Sequence, residues 1–251
     1  MCGRFASFTE TQDLADQLAI ADIAEDVRLL PPSWNVAPTD PVRIVVERAA
    51  RGSTAVTRSM RLARWGLVPS WAKDPGVGAR MINARSETLV DKPAFAKPFA
   101  ARRCLVLADG YYEWRRLAPA DGSTKVPKQP YWIHPAGPGV AALAGLYEFW
   151  RNPAAGETDP DRWLVSTTVV TRPAQDGMVA IHDRMPLVLP PDTWDMWLDP
   201  AVSDASELLD VDNAPLATLP VSDAVGSVRN NGPELIAADP EPRDPEPVML
   251  R

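Results

Sequence analysis

Twenty-seven of the 251 residues are proline, spread from one end of the chain to the other. Proline lacks a backbone N–H and clashes with the preceding turn of an α-helix. Such a chain cannot be built from long helices. It must fold from short strands, loops and helical turns, with prolines at strand edges and helix starts. Hydrophobic residues make up 45% of the chain and nine are tryptophan, enough to fill a sizeable core. The economical reading is one α+β domain. Apolar runs and alternation predict strands at 42–47, 59–68, 104–107, 130–134, 140–149, 163–171 and 186–189. Short helices are expected at 9–20, at 94–102 interrupted by Pro98, and at 173–181, 191–198 and 203–209. The stretches 29–41 and 69–84 read as irregular, 118–128 as an exposed hairpin loop and 152–161 as a mobile polar loop. No repeat or linker is evident before residue 237. We therefore expect a domain over 2–236 and an acidic, proline-rich, disordered tail over 237–251.

No run reaches the ~18 apolar residues a membrane helix needs, and no basic-then-apolar leader opens the sequence. Two cysteines, Cys2 and Cys104, make no disulfide framework, so a reduced, cytoplasmic setting fits. The net charge of −7 argues against nucleic acid as a partner, but its distribution argues for one. Residues 58–116 hold twelve Lys/Arg against five Asp/Glu, and residues 191–251 hold three against thirteen. A basic face on an acidic body is one reading, and solvated surface arginines are the other.

Cys2 follows the initiator Met1. If Met1 is trimmed, Cys2 carries an amine and a thiol on adjacent carbons, a pair no internal cysteine offers. The amine can add to an aldehyde to give an imine, and the thiol can then close a thiazolidine. The two groups titrate near ~7.7–8.0 and ~8.5, so both are partly nucleophilic at neutral pH. Asn83, between apolar residues and two positions before Arg85, suits either a turn or the orientation of a substrate whose phosphate Arg85 holds. Glu113, in Gly110-Tyr111-Tyr112-Glu113-Trp114, is either a desolvated acid–base group or half of a surface ion pair. His182, flanked by Asp183 and Arg184, has the side chain best suited to proton transfer at neutral pH. His134, before a proline at a strand end, reads as structural. Trp71 lies beside the basic window, where an exposed indole could stack on a base. Cys2, Cys104, His134 and His182 lack metal-ligand spacing, so no metal or cofactor is expected.

These motifs in order are Cys2-Gly3-Arg4-Phe5, Trp34-Asn35-Val36-Ala37-Pro38, Trp65-Gly66, Ile82-Asn83-Ala84-Arg85-Ser86-Glu87-Thr88, Asp109 to Trp114, Ile181 to Pro186, and Arg229-Asn230-Asn231-Gly232-Pro233-Glu234-Leu235. Together they resemble the SOS-response-associated peptidase (SRAP) family, from Cys2 to about Ile236. The resemblance implies a compact α+β domain with a curved, largely antiparallel sheet. It implies a monomeric sensor of abasic sites in single-stranded DNA, cytoplasmic and nucleoid-associated when bound. Cys2 would capture the sugar's aldehyde and shield the lesion as a covalent crosslink, with lyase and Met1-removing side activities. By the same resemblance Glu113 would shuttle the ring-opening proton, Asn83 would position Cys2 and the sugar, and His182 would exchange protons with the imine. Arg4 and Arg85 would hold phosphates, Trp71 would stack on a flanking base, and Pro38 would line the site. Two features depart from the family pattern. Trp71-Ala72-Lys73 holds one tryptophan where some members have two adjacent, and the acidic tail is an addition.

Two other functions fit some of these residues. Cys2 could be the nucleophile of an N-terminal-nucleophile peptidase or amidase, its own amine acting as base. The chain could also be a plain single-stranded-DNA-binding module, with affinity falling steeply in salt.

Overall fold

A computed structural model describes residues 2–49, 55–119 and 126–244. The strands are β1 (Phe5–Ser7), β2 (Asp22–Ile23), β3 (Ser33–Val36), β4 (Pro41–Ala49), β5 (Val56–Trp65), β6 (Asn83–Arg85), β7 (Arg103–Ala108), β8 (Gly110–Arg116), β9 (Lys128–Pro135), β10 (Ala141–Arg151), β11 (Trp163–Pro173), β12 (Arg184–Pro186) and β13 (Leu216–Pro220). The α-helices are α1 (Thr11–Gln17), α2 (Glu25–Leu29), α3 (Pro93–Ala101) and α4 (Trp194–Leu198). None is long and apolar enough to cross a membrane among the described residues.

The proline argument explains the helices. Pro93 opens α3 where its missing N–H is no loss, and α3 runs on through Pro98 for nine residues. Of the other expected helical segments, 9–20 holds α1 and 191–198 a 3₁₀ turn leading into α4, while 173–181 and 203–209 hold only the 3₁₀ turns Asp176–Ala180 and Ser206–Leu209. The stretch read as irregular at 29–41 holds β3 and begins at the end of α2. β2 and β13, which nothing in the sequence suggested, exist by pairing with β5 and β9. The expected loop at 118–128 falls partly outside the described residues.

The larger sheet closes on itself. β11 pairs with β10, β10 with β7, β7 with β4, and β4 with β5, all antiparallel. β5 then returns to β11 in parallel through Ser166↔Arg64 and Thr167↔Trp65. Strand alternation divides two apolar clusters across this five-stranded barrel. Val42, Ile44 and Val46, Cys104, Val106 and Ala108, Leu143 and Tyr147 point inward. Val45, Leu105, Leu107, Ala144 and Leu146 point outward, under α1, α3 and α4. At Gly145 a Cβ would stand 2.9 Å from the Cys104 sulfur, so only glycine fits there.

A second antiparallel sheet runs β13-β9-β8-β1-β3. The chain passes from the barrel into it at Asp109, the single residue between β7 and β8. That corner is tied by the Asp109 carboxylate, which accepts from the backbone N–H of Phe8 and Thr9 and from the Thr9 hydroxyl. Residues 237–244, expected to start a disordered tail, pack against this sheet. Ala238 bridges to Val221, and the Arg243 N–H donates to Gln129. Asp244 is buried and accepts from Arg115 and from the Tyr131 hydroxyl. A partly buried arginine gives the acidic segment a counter-charge that composition does not reveal.

Candidate active site

The N-terminal segment enters the second sheet between β3 and β8, with Phe5 opposite both Val36 and Tyr111. This leaves Cys2, with no exposed surface, in the apolar cluster that fills the barrel. On β8 the two-residue alternation sends Tyr111 and Glu113 one way and Tyr112 the other. Tyr111 joins Cys2 in the barrel cluster, and Tyr112 packs with Ala6 and Trp132 in a separate one. Glu113 is 5% exposed. Burial pushes the Cys2 thiol up to about 12, and the negative charge of Glu113 adds to the rise. Tyr111 lies far above its ordinary range from burial, then from the charges of Cys2 and Glu113. Tyr111, Cys2 and Glu113 thus share one buried environment.

Asn83 arrives from a different element. Gly66, at φ +129, has its Cα against the Gly78 carbonyl, where a Cβ would come within 2.6 Å. That approach folds the turn at Pro75–Arg80 back onto the end of the barrel. It delivers Asn83 to β6, which pairs in parallel with β11 at Val169. The Asn83 Nδ2 donates to the Cys2 carbonyl at 2.7 Å. Its Oδ1 is buried with no hydrogen-bond partner among the described residues. Trp65 supports the arrangement by donating from its indole to the Ile82 carbonyl.

His182 follows the turn Asp176–Ala180, with its Nε2 4.0 Å from Glu113 Oε1. Its Nδ1 lies 3.0 Å from the Arg184 backbone N–H and 2.7 Å from Asp183 Oδ1. One nitrogen cannot accept from the first and donate to the second at once. The tautomer therefore decides which of the two is bonded. Glu113 is buried rather than at the surface, and Asn83 reaches across 81 residues to the Cys2 carbonyl.

Arg4 is half-buried and donates to Asn35 Oδ1 at 2.8 Å and to the Val225 carbonyl at 3.1 Å. Burial lowers its pKa, opposed by Asp40. Asn35 in turn donates to the carbonyls of Ser227 and Asn230, so the second motif clamps the closing one. Pro38 sits in a turn clipped to the barrel end by the Thr39 N–H to the Trp65 carbonyl. Arg85 is exposed, two residues beyond Asn83 on the same short strand. Trp71 is 68% exposed, while the Trp150 indole pins the adjacent Ala72 carbonyl. His134 stacks on Trp132 and lies on β9.

The basic window is less basic than its composition. Arg58, Arg61, Arg102 and Arg115 are paired with carboxylates. Arg103 is buried and donates to four backbone carbonyls. The bases left to solvent include Lys73, Arg80 and Arg85, which flank Trp71 and Asn83 along the chain. Sequence reasoning missed Tyr111 and Asn35 as site residues. The signal for Tyr111 was present, since period-two alternation puts it on the face of Glu113.

The SOS response associated peptidase (SRAP) family model matches residues 1–228. The chain belongs to the SRAP family. Abasic site processing protein YoqW of Bacillus subtilis is 38% identical over 240 residues, covering 94% of this chain and 99% of that protein. Abasic site processing protein HMCES of Xenopus tropicalis is 34% identical over 235 residues, covering 82% of this chain and 66% of that protein. A crystal structure of a Bacteroides thetaiotaomicron protein shares the fold at a TM-score of 0.77 and 22% identity, covering 95% of this chain and all of that one.

Proposed function

We propose that this protein processes abasic sites in single-stranded DNA by capturing them covalently on Cys2, shielding the lesion during the response to DNA damage. The observation that carries the reading is the convergence on Cys2 of Asn83, from β6, and Glu113, from β8, with His182 4.0 Å from Glu113. The names of the relatives support the substrate.

The reaction requires loss of Met1, because an acylated nitrogen cannot form an imine. The liberated amine adds to the aldehyde of the ring-opened sugar and expels one water. The thiol then adds to the imine carbon, and its proton ends on nitrogen. Glu113, buried beside Cys2, suits proton transfer during ring opening and thiol attack. The Asn83 Oδ1, which has no partner among the described residues, is a buried acceptor, and an unsatisfied one costs ~1–3 kcal/mol. The freed amine or a sugar hydroxyl would satisfy it and be oriented by it. His182 can take or give the imine's protons, and β-elimination from the same imine accounts for a lyase side reaction. Arg4 and Arg85 would contact phosphates, Pro38 would line the site, and Trp71 is exposed as a stacking platform.

The test is a denaturing gel after incubation with a uracil-containing oligonucleotide treated with uracil-DNA glycosylase. A shifted band is expected with the abasic strand alone. No shift would point to simple DNA binding. A shift that Cys2→Ser forms as durably as the wild type would rule out the thiazolidine, since a serine can still serve a hydrolase but cannot close that ring.

A further inference from the structure

The barrel has a second end. Trp65 and Val169 lie toward Cys2 and Asn83, and the opposite mouth opens into a cavity of about 720 Å³. Ser59, on its wall, precedes Trp65 by six residues on one strand, about 20 Å of extended chain. Ile44 and Val46, both buried, form an apolar floor between the two ends. Tyr147 and Phe149 from β10 stand on one side of the mouth.

Two polar groups converge on this apolar bowl without a charged partner. The Arg48 guanidinium lies 4.9 Å from the Phe149 ring centroid. Its neighbour Glu47 is committed to Arg58, and Arg48 has no carboxylate or hydrogen-bond partner among the described residues. The Tyr147 hydroxyl also has no hydrogen-bond partner among them, although the side chain is only 4% exposed. Burial raises its pKa and the nearby Arg48 charge opposes that rise. Of the other charges on the wall, Arg61 pairs with Asp22, and Asp26 is a further lining carboxylate that an anion must avoid by binding on the Arg48 side.

We propose that this mouth is a binding site, separate from the Cys2 centre, for a small aromatic carboxylate. Its flat body would lie on Ile44, Val46 and Phe149, and its anion would take the Arg48 guanidinium and the Tyr147 hydroxyl. The size falls in the range of about 300–1,000 Å³ typical of small-molecule sites, and the wall combines Ile44, Val46, Phe149 and Val165 with polar and charged side chains. A guanidinium already stacked on a ring is pre-oriented for a planar anion and loses little freedom on binding one.

The experiment is a fluorescence titration of the full chain with 8-anilinonaphthalene-1-sulfonate as the probe, followed by displacement with 2-naphthoate. A saturable one-to-one signal is expected, displaced by 2-naphthoate but not by the neutral 2-naphthalenemethanol. Arg48 is exposed, so Arg48→Ala leaves the fold intact and should weaken binding about tenfold. Tyr147→Phe should weaken it less, and Cys2→Ser should leave it unchanged. Absence of a saturable signal, equal displacement by the neutral alcohol, or full affinity in Arg48→Ala would overturn the proposal.

Discussion

Cys2 and Cys104 lie in the same apolar cluster, both without exposed surface, and burial pushes both thiols up to about 12. Desolvation alone does not distinguish them; their neighbours do. Cys104 sits in the barrel wall opposite Gly145, its sulfur 3.5 Å from the Thr167 hydroxyl, and no carboxylate raises its pKa as Glu113 raises that of Cys2. Cys2 lies where three separate elements bring a carboxylate, a histidine and an amide together, beside the one backbone nitrogen that trimming can free. A buried thiol is inert by default. What makes one of these two a candidate nucleophile is access to a proton acceptor and to a second nucleophile.

That contrast can be broken most directly by exchanging the cysteines' fates. Cys2→Ser should reduce denaturant-resistant adduct with abasic DNA by at least about 100-fold, while Cys104→Ala forms it at the wild-type rate. Equal losses in the two variants on a quantified gel would show that both act through stability. Next in size is Glu113→Gln. General acid–base groups contribute roughly 10²–10⁴-fold, so crosslinking should slow by about 100-fold with binding to intact strands preserved. Single-turnover kinetics that match wild type would refute the proton-transfer role.

A smaller effect is expected from Arg85→Ala, because a phosphate contact reads no base. Affinity for intact and abasic strands should fall alike by severalfold, and the slope of log affinity against log salt should shrink by about 1. A loss confined to the abasic strand in an anisotropy titration contradicts a phosphate role.

The smallest effect sharpens the comparison from the Cys104 side. In the fold this thiol keeps its proton to about 12, whereas its ordinary value is 9.0. Above pH 9 the unfolded chain releases a proton that the folded chain retains. The stability this thiol contributes is therefore complete below pH 9 and lost as pH rises toward 12, by up to ~1.4 kcal/mol per pH unit. Denaturant unfolding of Cys104→Ala should show a shallower decline between pH 9 and 10.5 than wild type. Parallel curves would mean that this thiol ionises alike in both states.

Much of the site was legible as residues and little of it as geometry. Glu113 stood out as a carboxylate among aromatics, and His182 as a titratable group between an acid and a base. Neither motif says that Glu113 and His182 lie 4.0 Å apart, because 68 residues separate them along the chain. The basic window misled for the same reason. Arg58, Arg102 and Arg115 find carboxylates at Asp195, Glu148 and Asp244, all remote in sequence. The start of the acidic tail looked like a chain with nothing to pack against until Asp244 met Arg115 and Tyr131.

The sequence by itself determined the short-element α+β character, through proline's missing N–H. It also determined the family, through seven motifs in order. Tertiary structure alone decided the closure of the barrel, where β5 meets β11 in parallel across a hundred residues. It likewise decided which charges stay in solvent and which atoms gather on Cys2. Pairing and burial depend on the distances between remote segments, and those distances exist only once the chain has closed on itself.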